Sequence, residues 1–235
     1  MEKKYPFHVA IITDGNRRWA RKHGLASLEG HLAGYKNFKR ILKHCQKRGV
    51  KILTAFGFSS ENWRRSNEEV DYLMRLLERG LSNEKDIKEL NDAGVRIKII
   101  GQKEKLPKSL QKVMQKVENL TKNNKKFFMN LAVSYGGKWD ILQAVQEIMK
   151  KKIPAEKVTE ELISNYLTTA GLPDPDLVIR AGGERRLSNF LLWQTAYSEL
   201  YFTEKFWPEL SEKELDEAFD DFAKRNRRFG GDINK

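Results

Sequence analysis

Asp14-Gly15-Asn16-Arg17-Arg18-Trp19 follows directly on the apolar run Val9-Ala10-Ile11-Ile12, with only Thr13 between. Arginine grips phosphate through paired N–H bonds. A glycine lets the backbone come close to an anion. An aspartate in the same loop repels phosphate unless a cation stands between them. Together these residue types fit a magnesium-diphosphate site, because Mg2+ is held by one or two carboxylates and by substrate phosphates. A plainer reading is also open: Asp or Asn caps a helix start and Gly shapes the turn. The strand-like run before the motif and the arginines after it favour the anion site, since ligands of open α/β sheets lie at the carboxyl ends of strands.

A second cluster, Phe58-Ser59-Ser60-Glu61-Asn62-Trp63-Arg64-Arg65, also ends an apolar run. Its hydroxyls and amide can bond phosphate oxygens or orient a reacting atom, and Trp63 suits a ligand wall. Alternatively it is a loop leading into a helix at Asn67 with Ser66 as cap. A third cluster, Arg180-Ala181-Gly182-Gly183-Glu184-Arg185-Arg186-Leu187-Ser188-Asn189-Phe190, follows Leu177-Val178-Ile179. Glycine-bent backbone with arginines makes a diphosphate cradle, and Ser188 is placed to cap a following helix. Neither a Walker A loop nor G-x-G-x-x-G occurs. Glu199 lies in the apolar, aromatic stretch Ala196 to Phe202 and requires a partner, either an arginine or a shared cation. His31, after Gly30, reads as a packed or capping histidine or as a ligand contact.

The elements that must position these clusters alternate along the chain. Strands are expected at 8–13, 51–58, 95–101, 127–134, 177–180 and 199–202, and helices at 31–48, 67–80, 107–123, 138–151, 158–169 and 211–224. In 31–48 the residues Tyr35, Phe38, Ile41, Leu42 and Cys45 share a face and Gly49 marks the end; in 67–80 the stripe is Val70, Leu73, Met74 and Leu77. Such alternation predicts an α/β fold, a mostly parallel central sheet flanked by helices. Without a repeat or composition break, the 235 residues read as one domain, 1–235, with a mobile tail from about Arg225. The lone Cys45 excludes an intrachain disulfide and a cysteine-cluster metal site. A start without an apolar signal core and the lack of a spanning run imply a cytoplasmic location. The net charge of +12 draws the chain to anions.

The chain resembles the cis-prenyltransferases of the undecaprenyl diphosphate synthase type. The likeness rests on Asp14 through Trp19, Gly30-His31, Phe58 through Trp63, Arg180 through Glu199, and the closing Arg227-Arg228-Phe229-Gly230-Gly231. It implies an apolar product tunnel and repeated addition of isopentenyl diphosphate to an allylic diphosphate, commonly farnesyl diphosphate, each leaving a cis double bond. By the same resemblance Asp14 is the essential aspartate at a Mg2+-diphosphate site. Gly15, Asn16, Arg17, Arg18, Trp19 and His31 hold the allylic diphosphate. Ser59, Ser60, Glu61, Trp63 and Arg65 stand at the condensation site with Asn62 in the proton-transfer role. Arg180, Arg186, Leu187 and Ser188 hold isopentenyl diphosphate. Glu199 is a second metal-site carboxylate, supplied by the partner in a homodimer. A polyprenyl product suggests transient contact with a membrane surface. Two positions depart from the family: Ser27 stands where an arginine is usual, and Thr13 where methionine is usual. A short-chain synthase or a head-to-middle coupling enzyme of the same fold is an alternative. Another is a nucleic-acid-binding protein, against which stand the carboxylates and glycines beside the arginines.

Overall fold

The computed structural model describes residues 5–225. The expected tail and the Arg227-to-Gly231 motif lie outside the described residues. Among the described residues six strands form, β1 (His8–Ile12), β2 (Ile52–Ser59), β3 (Val95–Ile100), β4 (Phe127–Tyr135), β5 (Leu177–Arg180) and β6 (Glu199–Phe202). They make a sheet in the order β3-β4-β2-β1-β5-β6, and β1–β5, β5–β6 and β3–β4 pair in parallel. The helices are α1 (Asn16–Lys22), α2 (Ser27–Lys47), α3 (Asn67–Leu81), α4 (Glu84–Asp92), α5 (Lys108–Thr121), α6 (Gly137–Lys150), α7 (Glu160–Tyr166) and α8 (Glu212–Lys224). The α/β expectation holds.

Of the described residues, one compact unit holds 5–53, 174–186 and 194–225, and a second holds 54–173 and 187–193. In the first unit Val9, Ala10 and Ile11 are fully buried. β1 thus reads as an unbroken apolar run, as a strand covered on both faces does. Helix α2 starts four residues earlier than its apolar stripe suggests, because Glu29 Oε2 accepts the Ala26 N–H at 3.0 Å and closes the first turn. A Cβ on Gly30 would fall 2.1 Å from the Asn16 carbonyl oxygen, so glycine is what lets α2 cross the start of α1. Helix α8 carries a capping box between Ser211 and Glu214 and buries Leu215, Phe219 and Phe222. It is clamped to α2 by Asp216, which receives His44 Nε2 and Arg48 Nε, both at 2.8 Å. Burial pushes the Asp216 carboxyl up, but Arg48 and His44 more than offset this and hold it below its ordinary value.

In the second unit α3 begins as expected, with Ser66 Oγ accepting the Glu69 N–H. Val70, Leu73 and Met74 are buried on it, as are Met129 and Leu131 on β4. The edge strand β3 gives its outward N–H groups to α5: Ile97 to Thr121 Oγ1 at 3.0 Å and Ile99 to Glu118 Oε1 at 2.8 Å. That pairing covers an edge that would otherwise invite another strand. The expected helix at 158–169 shortens to α7. Helix α4 was not expected, since Ile87 is its sole buried residue and it has no apolar stripe to read.

Candidate active site

Asp14 sits just past the carboxyl end of β1, and its N–H turns back to the Ile12 carbonyl at 3.0 Å. Gly15 follows in the left-handed region at φ 101° and is itself the N-cap of α1, with no side-chain cap bond. The capping reading of Asp14 and Asn16 therefore fails here. Asp14 instead faces across the sheet. Arg180 is the register neighbour of Ile12, and its Nη2 donates to Asp14 Oδ2 at 2.9 Å. Arg18, in the first turn of α1, reaches the same oxygen at 3.2 Å. The Arg180 side chain is only 4% exposed, whereas Asp14 is 31% exposed. A buried guanidinium is thus held at the end of the strands by a carboxylate that solvent can reach. Arg180 Nη1 also donates to the Arg186 carbonyl, which ties the arginine to the 180–186 loop.

The neighbouring groups extend this charged cluster. Arg186 Nη1 pairs with Glu184 Oε2 at 2.5 Å, and Arg18 lies over the Phe206 ring at 5.4 Å. Neither Glu184 nor Phe206 stood among the expected site residues. Phe206 is also why residue 15 has no side chain: a Cβ there would meet its ring at 2.7 Å. Arg17 is exposed on α1, and Trp19 packs against His23. The Asn16 Oδ1 is buried, and a Cβ on Gly34 would lie 2.3 Å from it. Its amide oxygen therefore faces α2. His31 is buried on α2, and Ser27 is exposed at the start of that helix.

Glu199 does not join Asp14 within one chain. It opens β6 opposite Leu177, which is opposite Val9. At about 3.3 Å per residue it lies some ~16 Å short of Asp14 along the strand direction. Its partner is Arg225, Nη1 to Oε2 at 2.7 Å. Of the two expectations for this carboxylate, an arginine partner or a shared cation, the single chain realises the first. Among the described residues no group of three or more His, Cys, Asp and Glu side chains could hold a metal ion.

The second unit holds a different kind of cluster at the carboxyl end of β2. A 3-10 turn spans Ser60–Arg64. Asn62 Oδ1 accepts the Ser59 N–H at 3.0 Å, so its acceptor oxygen shapes the turn and its NH2 donors face away from that bond. Trp63 is fixed as a wall by Ser134 Oγ, 2.9 Å from its Nε1, and by an edge-on contact with Phe58. Arg65 pairs with Glu69 at 2.9 Å. Glu61 is exposed, and Asn189 Nδ2 donates to its Oε1 at 2.8 Å. Burial raises the Glu61 carboxyl somewhat. Bonds from Asn189, its own backbone, Ser59 and Ser60 outweigh that and hold it below the ordinary value. Ser188 caps no helix, contrary to expectation. The chain from Ser188 turns irregularly, with Ser188, Asn189 and Leu191 at φ 48°, 65° and 45°. Leu187 is half-buried at the start of this segment. Asn189 carried no expected role, because its partners stand far from it in sequence.

Residues 12–230 match the Prenyltransf family, described as undecaprenyl diphosphate synthase. A ditrans,polycis-undecaprenyl-diphosphate synthase ((2E,6E)-farnesyl-diphosphate specific) of Legionella pneumophila strain Paris is 44% identical over 98% of both chains. An isoprenyl transferase of Aquifex pyrophilus is 48% identical over 98% of both. The crystal structure of lavandulyl diphosphate synthase from Lavandula x intermedia, in complex with dimethylallyl diphosphate, superposes with TM-score 0.91 at 39% identity. It covers 96% of this chain and 98% of that one. The chain belongs to the cis-prenyltransferase family, and so is a transferase of isoprenoid diphosphate metabolism.

Proposed function

We propose that this enzyme condenses isopentenyl diphosphate onto an allylic diphosphate, with farnesyl diphosphate as primer, and builds a polyprenyl diphosphate by successive cis additions. The observation that carries this reading is the buried Arg180 guanidinium held, with Arg18, on one oxygen of a half-exposed Asp14. Relatives named for farnesyl diphosphate and undecaprenyl diphosphate support the choice of substrates.

In this reading Asp14 does two things. It fixes two arginines toward a diphosphate, and it offers carboxylate oxygen to Mg2+. Both arginine contacts use Oδ2. The donor set fits magnesium rather than an all-protein cage, since Mg2+ is completed by waters and substrate phosphates. When bound, magnesium supplies positive charge for a leaving diphosphate. Gly15, Asn16, Arg17, Arg18, Trp19 and His31 serve the allylic diphosphate. As the allylic C–O bond breaks, its electron pair goes to the diphosphate, and preorganised guanidinium groups stabilise that charge most in the transition state. Arg180, Arg186, Leu187 and Ser188 hold isopentenyl diphosphate, whose double bond attacks the allylic carbon. The proton then lost goes to a diphosphate oxygen. Asn62 orients that transfer through its NH2 donors and is no base, because an amide has no useful basicity. Ser59, Ser60, Glu61, Trp63 and Arg65 frame the turn.

The growing chain would lie against Val70, Leu73, Met74, Met129 and Leu131, which are buried in the second unit, and against the half-buried Leu77. A homodimer is part of the proposal, because Glu199 can join an Asp14 only from a second copy. Contact with a membrane surface would use the exposed lysines of α5, Lys108, Lys112 and Lys116. Among the described residues no helix is long and apolar enough to cross a membrane. The likeness to a lavandulyl diphosphate synthase favours, as second reading, a short-chain product or head-to-middle coupling. Sizing labelled products made from farnesyl diphosphate and isopentenyl diphosphate separates the two. Chains of many added units support elongation, and a single addition supports the second reading.

A further inference from the structure

We propose that Asn189 is a positioning residue, which locks the Leu187–Leu191 segment to Glu61 and thereby sets the Ser59–Asn62 turn for the incoming diphosphate. The role in turnover rests on the function proposed above. All the groups concerned belong to the second unit.

The Asn189 amide is used at both ends. Its Nδ2 donates to Glu61 Oε1 at 2.8 Å, and its Oδ1 accepts the Lys138 N–H at 2.9 Å. Its backbone carbonyl accepts the Gly137 N–H at 2.6 Å. Helix α6 has no side-chain cap of its own, because its N-cap is Gly136. Asn189 therefore caps it from a remote segment, taking two of the N–H donors that a helix start leaves without partners. The seat is shaped for this amide. A Cβ on Gly136 would lie 2.7 Å from Asn189 Nδ2 and 2.5 Å from Ser60 Oγ. The next residue, Phe190, is fully buried and stacked on Phe56 at 4.5 Å, which anchors the segment. Three non-glycine residues with positive φ in four persist only where the surroundings hold them.

Glu61 gathers the other ends of this network. Its side-chain partner is Asn189, and against burial its own backbone N–H with the nearby Ser59 and Ser60 hydroxyls helps hold its carboxyl below the ordinary value. Asn189 thus joins the segment that carries Ser188 to the turn that carries Asn62. Movement of one is felt by the other through a single carboxylate.

The test must separate this link from simple capping. Asn189→Asp does so. It keeps the oxygen that accepts from Lys138, tolerates the left-handed backbone, and is a good group at a helix start. It loses the donor to Glu61 and sets two carboxylates against each other. We expect Asn189→Asp to melt within a few degrees of the unaltered protein. Its kcat/KM for isopentenyl diphosphate should fall at least tenfold, mainly in KM. The Glu61 carboxyl carbon, followed by 13C NMR, should titrate at higher pH. In Asn189→Asp with Glu61→Gln the glutamine amide can donate to the new carboxylate, so the double variant should be no worse than Glu61→Gln alone. Asn189→Ala, which loses cap and link together, should lose both stability and activity. An unchanged Glu61 titration and full kcat/KM in Asn189→Asp would overturn the proposal and leave a helix cap only. If the unaltered enzyme adds no isopentenyl unit, the functional reading fails, and the Glu61 titration alone then decides the link.

Discussion

The two regions proposed to carry the chemistry are made of opposite materials. Around Asp14 the contacts are ion pairs: Arg180 and Arg18 on one carboxylate, Arg186 on Glu184. Around Glu61 they are neutral: the Asn189 amide donates to one exposed carboxylate, whose carboxyl is also lowered, against burial, by its own backbone and the Ser59 and Ser60 hydroxyls. The charged region brings excess cation to wherever phosphate charge grows, and suits leaving-group stabilisation. The neutral region orients without adding charge, and suits steering of an uncharged double bond and a departing proton.

Removing charge from the first region should have the largest effect. Asp14→Asn keeps an acceptor for Arg180 but no charge, and turnover should fall about 10³-fold, of the order seen for lost transition-state electrostatics. Both Asp14→Asn and Asp14→Ala should also lower thermal stability, since each leaves the buried Arg180 without its counter-charge, and Ala more so because it removes the acceptor as well. Turnover of Asp14→Asn above a tenth of normal would show that charge is not what distinguishes this region. The neutral region is probed by Asn62→Ala and Asn62→Asp in single-turnover kinetics. Both lose the NH2 donors, and both should slow the chemical step by roughly 10²-fold. Since Asp retains the acceptor for Ser59, it should keep the turn folded, and an unchanged chemical step in both would remove Asn62 from the proton path.

A smaller effect tests whether the charged region is complete. Ser27 stands exposed at the position where the resemblance implies an arginine. Ser27→Arg should lower KM for farnesyl diphosphate by about tenfold, since a charge-assisted bond contributes about 1.5–3 kcal/mol. No change in KM would mean that Arg17 or Arg21, both exposed on α1, already fills that role. The smallest effect lies outside both regions. The Asp216 carboxyl is held below its ordinary value, so its contribution is present above about pH 4 and lost as pH falls through its folded value. Asp216→Asn should melt at lower temperature near neutrality but decline less steeply on acidification. Parallel acid limbs would contradict the clamp.

The same contrast shows what the sequence could and could not disclose. The strands were legible because β1, β4 and β5 are mostly apolar, with runs such as Val9–Ile12 and Leu177–Ile179, and α3 was legible from its stripe. α4 was not, having one buried residue. The motif at Asp14 was legible as an anion site and as a helix start, but not as both at once, because Gly15 and not a capping side chain stands at the N-cap. The pairing of Asp14 with Arg180 and of Glu61 with Asn189 joins residues far apart in the chain, and no local spacing encodes it. Ser188 reads as a cap only while a helix is assumed to follow. Glu199 announced its need for a partner, and chemistry alone could not choose between an arginine and a cation.

The central claim is that the Asp14 cluster drives allylic diphosphate ionisation for chain elongation. Incorporation of labelled isopentenyl diphosphate, with Mg2+ and either geranyl or farnesyl diphosphate, tests it in one measurement. The unaltered enzyme should form elongated, butanol-extractable product and Asp14→Ala should form essentially none. No incorporation by the unaltered enzyme with either primer, or equal incorporation by Asp14→Ala, would contradict the account.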